Sequence, residues 1–444
     1  MGVGEARDCL AKAVYLLNRD QKDSAKDLIL RAQRLLDALG PHRDLDLKRD
    51  PKPTVLDEEV AQWLQSSFFT SPLSERNSKL ISIRPLQMFK MAVNKIILKN
   101  RVIRRFSSGT LKHVHPVEKM LFDRKVREEV QKSGKWEFDV FKFNELTSGN
   151  ALLALSWHCF NDLELIEDLT IPRGIFVEFF SKIQKGYLDI PYHNSIHASD
   201  VFATVFYFLK HESPILRLNA LDKMCMLIAA AIHDYKHPGV NNTFLVNSGS
   251  DLALLYNDVS VLENYHLSEA FKEMKRFDCD ILSVLSARSK SICRKKIISM
   301  VLATDMCYHA DYLREAEFHI KSGSSIDSDM ETKRQQCFMD FLIHMADLAN
   351  ATRSWEIAYQ WANRVLSEFF SQGDREKALG LTVSPMMVRD HSETFKGRAQ
   401  SGFLDYVVLP MMGTAEILVP AISEANAIGK SNRDRWNELA RGHT

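Results

Sequence analysis

The chain has 444 residues, 45% hydrophobic and 26% charged, with 58 basic against 57 acidic side chains and a formal net charge of +1. That balance excludes a disordered or collagen-like chain and offers no broadly basic surface for nucleic acid. The longest apolar run, about Met224 to Ile232, falls far short of the ~20 residues that span a bilayer. No signal-peptide pattern opens the sequence, and the seven cysteines are scattered without a Cys-x-x-Cys pair, which suits a reducing, cytoplasmic setting.

Two helical patterns within residues 8–39 flank Asn18-Arg19-Asp20-Gln21 and predict a helical hairpin. It is too small to hold itself together, so residues 1–40 read as an interaction or regulatory module. A polar stretch from Pro41 to Pro53 reads as a linker. Residues 84–105 carry seven basic side chains and no acidic one, with Phe89, Val93, Ile96 and Val102 at helical spacing. Such a segment suits calmodulin, an anionic membrane surface or another protein; the alternative is a helix packed on the next domain with its basic face solvated. Arg104-Arg105-Phe106-Ser107 matches a basophilic-kinase site, where phosphate on Ser107 would cut the positive charge. Linker and basic segment together occupy residues 41–125.

From Trp136 onward a 3.6-residue period recurs over 140–146, 151–160, 175–183, 198–209, 221–233, 251–256, 260–274, 295–302, 335–349, 356–370 and 402–422. Few strand-like alternations compete. The reading is one all-α domain of about 300 residues within 126–444.

Three local sequences in this region carry chemistry. Tyr192-His193-Asn194-Ser195-Ile196-His197 spaces two histidines to share one helix face. An apolar run ends in Ile232-His233-Asp234 before Pro238-Gly239, and His344-Met345-Ala346-Asp347-Leu348 sets a carboxylate inside an apolar helix. His197, His233, Asp234 and Asp347 supply two imidazoles and two carboxylates, a donor set suited to zinc with positions left open. Asp234 can bridge to a harder second ion, magnesium or manganese, completed mostly by waters. His237, Glu263 and Thr304-Asp305 are the polar groups placed to anchor those waters. His193, beside the metal helix but not needed as a ligand, is the candidate acid. His266 and His344, each taken alone, read as hydrogen-bonded core residues. A glycosidase pair of Glu263 and Asp347 leaves the clustered histidines unexplained.

With these motifs in this order, the region 136–422 resembles the catalytic domain of the class I cyclic nucleotide phosphodiesterases. The resemblance runs through Tyr192-His193-Asn194, Ile232-His233-Asp234 with His237-Pro238-Gly239, Val261-Leu262-Glu263-Asn264, Thr304-Asp305-Met306, Ala346-Asp347-Leu348, Glu368-Phe369-Phe370 and Gln400-Ser401-Gly402-Phe403. It implies a compact, multi-helix fold of the HD-type metal phosphohydrolases, with zinc on His197, His233, Asp234 and Asp347. Magnesium or manganese would lie on Asp234 and on waters held by His237, Glu263 and Thr304. A hydroxide bridging the ions would attack phosphorus, and His193, oriented by Glu263, would protonate the departing ribose 3′ oxygen. Gln400 would bind the purine edge between Phe403 and Val365, with Tyr192 also lining the pocket. Asn350 stands where members preferring cAMP often carry Asn.

Two departures stand out: Tyr265, where a second histidine often precedes His266, and Ala351-Thr352-Arg353, where proline is common and which is expected beside the pocket. The stretch from Thr382 to Ala399 is expected as a mobile loop over the site. The function implied is hydrolysis of 3′,5′-cyclic nucleotides, cAMP favoured over cGMP, to 5′-monophosphates that ends a second-messenger signal. The reading from another class is a catalytically inactive cyclic-nucleotide-binding or scaffolding protein.

Overall fold

The computed structural model describes residues 116–441 except 277, 324–327 and 384. The predicted hairpin, linker, basic segment and Ser107 lie outside the described residues. Among the described residues every regular element is helical. The helices are α1 (Pro116–Phe122), α2 (Arg124–Val130), α3 (Val140–Leu146), α4 (Ala151–Asp162), α5 (Leu165–Asp168), α6 (Arg173–Gly186), α7 (Ser195–Lys210), α8 (Ala220–Ile232) and α9 (Asn242–Asn247). They continue with α10 (Asp251–Tyr256), α11 (Val261–Met274), α12 (Ala287–Leu302), α13 (His309–Ser322), α14 (Ser328–Leu348), α15 (Trp355–Ala378), α16 (Glu393–Phe403), α17 (Leu409–Leu418) and α18 (Ile422–Ala440). Val117 is buried in the same core as the later helices, with Met120 and Leu121 against it, so the packed region begins before residue 126.

Helix α8 is the centre because it is apolar on every side, and Met224 through Ile232 are all buried. It starts in a capping box, where Asn219 accepts from Leu221 and Asp222 and Asp222 returns a bond to the Asn219 amide. It ends at His233, after which Lys236 and Gly239 take left-handed backbone angles and turn the chain away. Helix α7 packs against both α8 and α14, so the start of α7 and the ends of α8 and α14 meet at one place. Asn194 caps α7 by accepting from Ile196 and His197, which fixes the first turn.

A buried cation locks the back of this assembly. After α14 a 3₁₀ turn, Ala349–Thr352, leads to Arg353. Its guanidinium donates to Asp200 Oδ1 and Thr204 Oγ1 of α7, each at 2.8 Å, and to the Trp136 carbonyl at 2.9 Å, while stacking on the Trp136 ring. Asn432 of α18 donates to the carbonyls of Ala351 and Arg353. Thr352 and Arg353 therefore sit in the core, not beside the pocket where the sequence suggested. Arg353→Ala strands the Asp200 carboxylate in the interior and is expected to cost about 3–5 kcal/mol. Urea unfolding measures it, and a loss under ~1 kcal/mol would deny Arg353 this role.

The chain departs from its predicted elements near the C-terminus. Residues 402–422 are not one helix but the end of α16, a π turn at Leu404–Val408, α17 and the start of α18. The expected loop 382–399 is loop only as far as Ser392, which caps α16 by accepting from Phe395. Gly397 lies inside α16 because a Cβ there would meet the Trp436 carbonyl oxygen of α18 at 2.6 Å. This glycine, inside the expected loop, is a packing requirement.

A buried carboxyl gives the fold a pH dependence. Asp340 on α14 accepts from Ser299 and Gln336, yet burial dominates and pushes its pKa from 3.8 up to about 7. A carboxyl that binds its proton more tightly folded than unfolded stabilises fully below pH 3.8, and loses that share as pH rises through about 7. The stability difference between wild type and Asp340→Asn should therefore change across this window in urea melts. Parallel curves would show that the carboxyl is not perturbed.

Candidate metal centre and active site

His197 rises from the first turn of α7, His233 and Asp234 follow α8 directly, and Asp347 stands in the last turn of α14. Their donor atoms converge. His197 Nε2 lies 2.8 Å from Asp347 Oδ1 and 3.4 Å from Asp234 Oδ2. His233 Nε2 lies 3.1 Å from Asp234 Oδ2, 3.3 Å from Asp347 Oδ1 and 3.3 Å from His197 Nε2. Donors bound at about 2.0–2.1 Å around a tetrahedral zinc would sit about 3.3 Å apart.

The proton inventory points the same way. His233 donates from Nδ1 to the Ala230 carbonyl at 2.9 Å, which leaves the Nε2 lone pair facing the cluster. Asp234 Oδ2 and His197 Nδ1 are buried without a hydrogen-bond partner. Burial opposes charge on His233, but Asp234 and Asp347 outweigh it and hold its pKa well above the ordinary value. Burial likewise opposes the Asp347 anion, and His233 and His197 overcome it and draw its pKa below the ordinary carboxylate range. A site that grips protons this way presents a concentrated negative field, and a divalent cation satisfies it. The four residues fit such an ion.

His193 is not on the α7 face with His197, because the helix begins two residues later at Ser195. It lies in the preceding turn, its ring 5.9 Å from His197 and stacked on His237 at 3.9 Å. Its Nδ1 is bonded to Glu368 Oε1, and Glu368 Oε2 accepts the backbone amides of Tyr192 and His193 at 3.0 and 3.2 Å. Glu263 does not orient His193. Its two oxygens instead accept from Asn242 Nδ2 at 3.3 and 3.0 Å. The orienting carboxylate is Glu368 of α15, which shares a helix stripe with Trp361, Val365 and Gln372. An acidic residue on a stripe that also carries the apolar Trp361 and Val365 was the only hint in the sequence.

The remaining predicted residues fall in several places. Buried His237 accepts the Gly239 amide on Nδ1, and Thr304 donates to the Val301 carbonyl. His266 is the hydrogen-bonded core residue expected, placed near the cluster. It bonds the Tyr235 carbonyl, and its Nε2 comes to 3.7 Å from Asp234 Oδ1. His344 is a core residue, bonded to the Ala303 carbonyl and to His309. Tyr192 leans on His197 with ring centroids 4.6 Å apart, and its hydroxyl accepts from Asn350 Nδ2 at 2.6 Å. Val365 is half-buried on α15, and Gln400 and Phe403 are half-buried on α16.

Comparisons with known proteins agree with this geometry. The family model described as 3′5′-cyclic nucleotide phosphodiesterase matches residues 192–427. Among its relatives is a protein of Mus musculus named 3′,5′-cyclic-AMP phosphodiesterase 4C, 35% identical over 319 residues that make up 70% of this chain and 46% of the mouse protein. The chain thus spans about half the length of that relative. Among solved structures, the phosphodiesterase domain of the RhoPDE fusion protein from the choanoflagellate Salpingoeca rosetta matches with a TM-score of 0.65 and 28% identity, over 74% of this chain and 99% of that one. The phosphodiesterase domain of Salpingoeca rosetta rhodopsin phosphodiesterase matches with a TM-score of 0.65 and 27% identity, over 74% and 96%. The chain belongs to the 3′5′-cyclic nucleotide phosphodiesterase family. Among the described residues no helix is long and apolar enough to cross a membrane.

The Glu368 contact sets how tightly His193 holds its proton. Burial opposes the charge on His193, but Glu368, then Asp234, push its pKa up to about 9. Glu368→Gln is expected to lower the pH at which His193 titrates, followed by NMR of labelled histidine with His193→Ala as the assignment control. An unchanged titration would remove Glu368 as its partner.

Proposed function

We propose that the chain hydrolyses 3′,5′-cyclic nucleotides to 5′-monophosphates, cAMP in preference to cGMP, and so ends a second-messenger signal. The observation that carries this is the convergence of His197, His233, Asp234 and Asp347 beside an imidazole bonded to a buried carboxylate. His197, His233, Asp234 and Asp347 would hold zinc. Asp234, with waters anchored by His237, Glu263 and Thr304, would hold magnesium or manganese. When bound, the ions polarise the phosphoryl oxygens and make a water nucleophilic near neutral pH.

The rest is done by the chain. His193, protonated at neutral pH by virtue of Glu368, delivers its Nε2 proton to the departing ribose 3′ oxygen, and Glu368 stabilises the charge before transfer. Tyr192 packs against His197 and the first turn of α7. The Asn350 amide, donating to the Tyr192 hydroxyl, has its carbonyl oxygen left to accept from a substrate, which suits an exocyclic amino group such as that of adenine. Gln400 would bond the purine edge, with Val365 and Phe403 covering the ring faces.

Steady-state hydrolysis of cAMP and cGMP by the zinc- and magnesium-loaded chain tests this, beside Asp347→Ala. The wild type should turn over cAMP faster at equal concentration. The variant should lose nearly all turnover and one equivalent of zinc relative to wild type, read by elemental analysis. Faster cGMP turnover would reverse the preference. No turnover of either nucleotide with both metals bound would make the chain a cyclic-nucleotide-binding or scaffolding protein instead.

A further inference from the structure

Far along α14 from Asp347, a second group of metal-ligand types comes together. Glu315 and His319 on α13 and Cys337 on α14 bring a carboxylate oxygen, an imidazole nitrogen and a thiol sulfur within 4.8 Å of one another. We propose that these three side chains form a separate site for a zinc-like divalent cation that staples α13 to α14.

Glu315 and His319 lie one helical turn apart on the side of α13 that meets α14. Their closest approach, 4.0 Å, is too long for a hydrogen bond, so neither satisfies the other. His319 is mostly buried, Cys337 is buried, and Glu315 is open to solvent, which gives a dry floor and one entry side. Burial, then the charges of Glu315 and Asp340, push the Cys337 thiol up to about 12. Glu315 supplies negative charge on the open side, and a cation is what such a field attracts.

The donor set narrows the occupant. A thiol with an imidazole disfavours calcium and magnesium and favours zinc, cobalt or copper. Tetrahedral zinc needs sulfur and nitrogen about 3.5 Å apart, so donors already within 4.8 Å close by small side-chain rotations. Water would fill the fourth position on the Glu315 side. Binding exchanges the thiol proton for the metal: the S–H bond breaks, the thiolate–metal bond forms, one proton leaves to solvent, and no redox partner is needed.

The test is cobalt(II) titration of the full chain, reading the thiolate-to-cobalt charge-transfer band, which the nitrogen and oxygen donors of the His197–Asp347 cluster cannot produce. The band should appear in wild type and in Asp347→Ala, and be absent from Cys337→Ser and His319→Gln. Zinc should raise the melting temperature of Asp347→Ala but not of Asp347→Ala combined with Cys337→Ser. Metal-free melting of each variant establishes that it is folded, and His319→Gln serves should the serine variant fail to fold. No band in wild type, or a band that survives Cys337→Ser, overturns the site.

Discussion

Two imidazole nitrogens and two carboxylate oxygens meet at the junction of α7, α8 and α14, each nitrogen 2.8–3.4 Å from each oxygen. Unaided, that crowd is unstable, because buried acceptors facing one another repel and water has no room to separate them. Positive charge resolves it, as protons or as a metal ion. The rest of the domain holds this arrangement in place. Each ligand lies at or near a helix end, where a side chain can leave the packed face without breaking the core.

Rigidity at those ends comes from ordinary local chemistry. Asn194 fixes the first turn of α7, and the capping box at Asn219 starts α8 in a register that delivers His233 and Asp234 at its end. Three residues beyond His197 on α7, Asp200 meets Arg353. That pair joins α7 to the chain leaving α14, so the helices carrying His197 and Asp347 are tied from behind as well as through the site. Asn432 extends the tie to α18, which also backs α16 and Gln400. The His/Asp cluster and helix α16 thus share one support.

Much of this was legible in the sequence because the signals are local. An apolar run ending in His233-Asp234 and a lone Asp347 in an apolar stretch are costly unless paid for by a partner, and that argument singled out residues whose donor atoms the fold brings together. Helices with strong periodicity, α3 and α10, begin and end where the pattern says. What failed depends on distant partners. Gly397 reads as loop until α18 is seen pressing its carbonyl oxygen there. Arg353 reads as a pocket residue until Asp200 and Trp136 enclose it. Glu263 and Glu368 are both acids on helices, and spacing does not reveal which one reaches His193.

The physics of the two carboxylates explains why the arrangement falls as it does. Burial and Asp305 raise Glu263 to about 7, so near neutrality its carboxyl is often protonated and a poor partner for a cationic imidazole. Burial also opposes the Glu368 anion, but His193 and two backbone amides overcome it and hold its pKa below the ordinary value. An acid that must remain charged at neutral pH needs a partner that is reliably an anion, and Glu368 meets that condition where Glu263 does not. The raised carboxyl accepts instead from Asn242 and lies near Asp305 and Asp234, whose charges help raise it. Opposite environments thus push two identical functional groups in opposite directions.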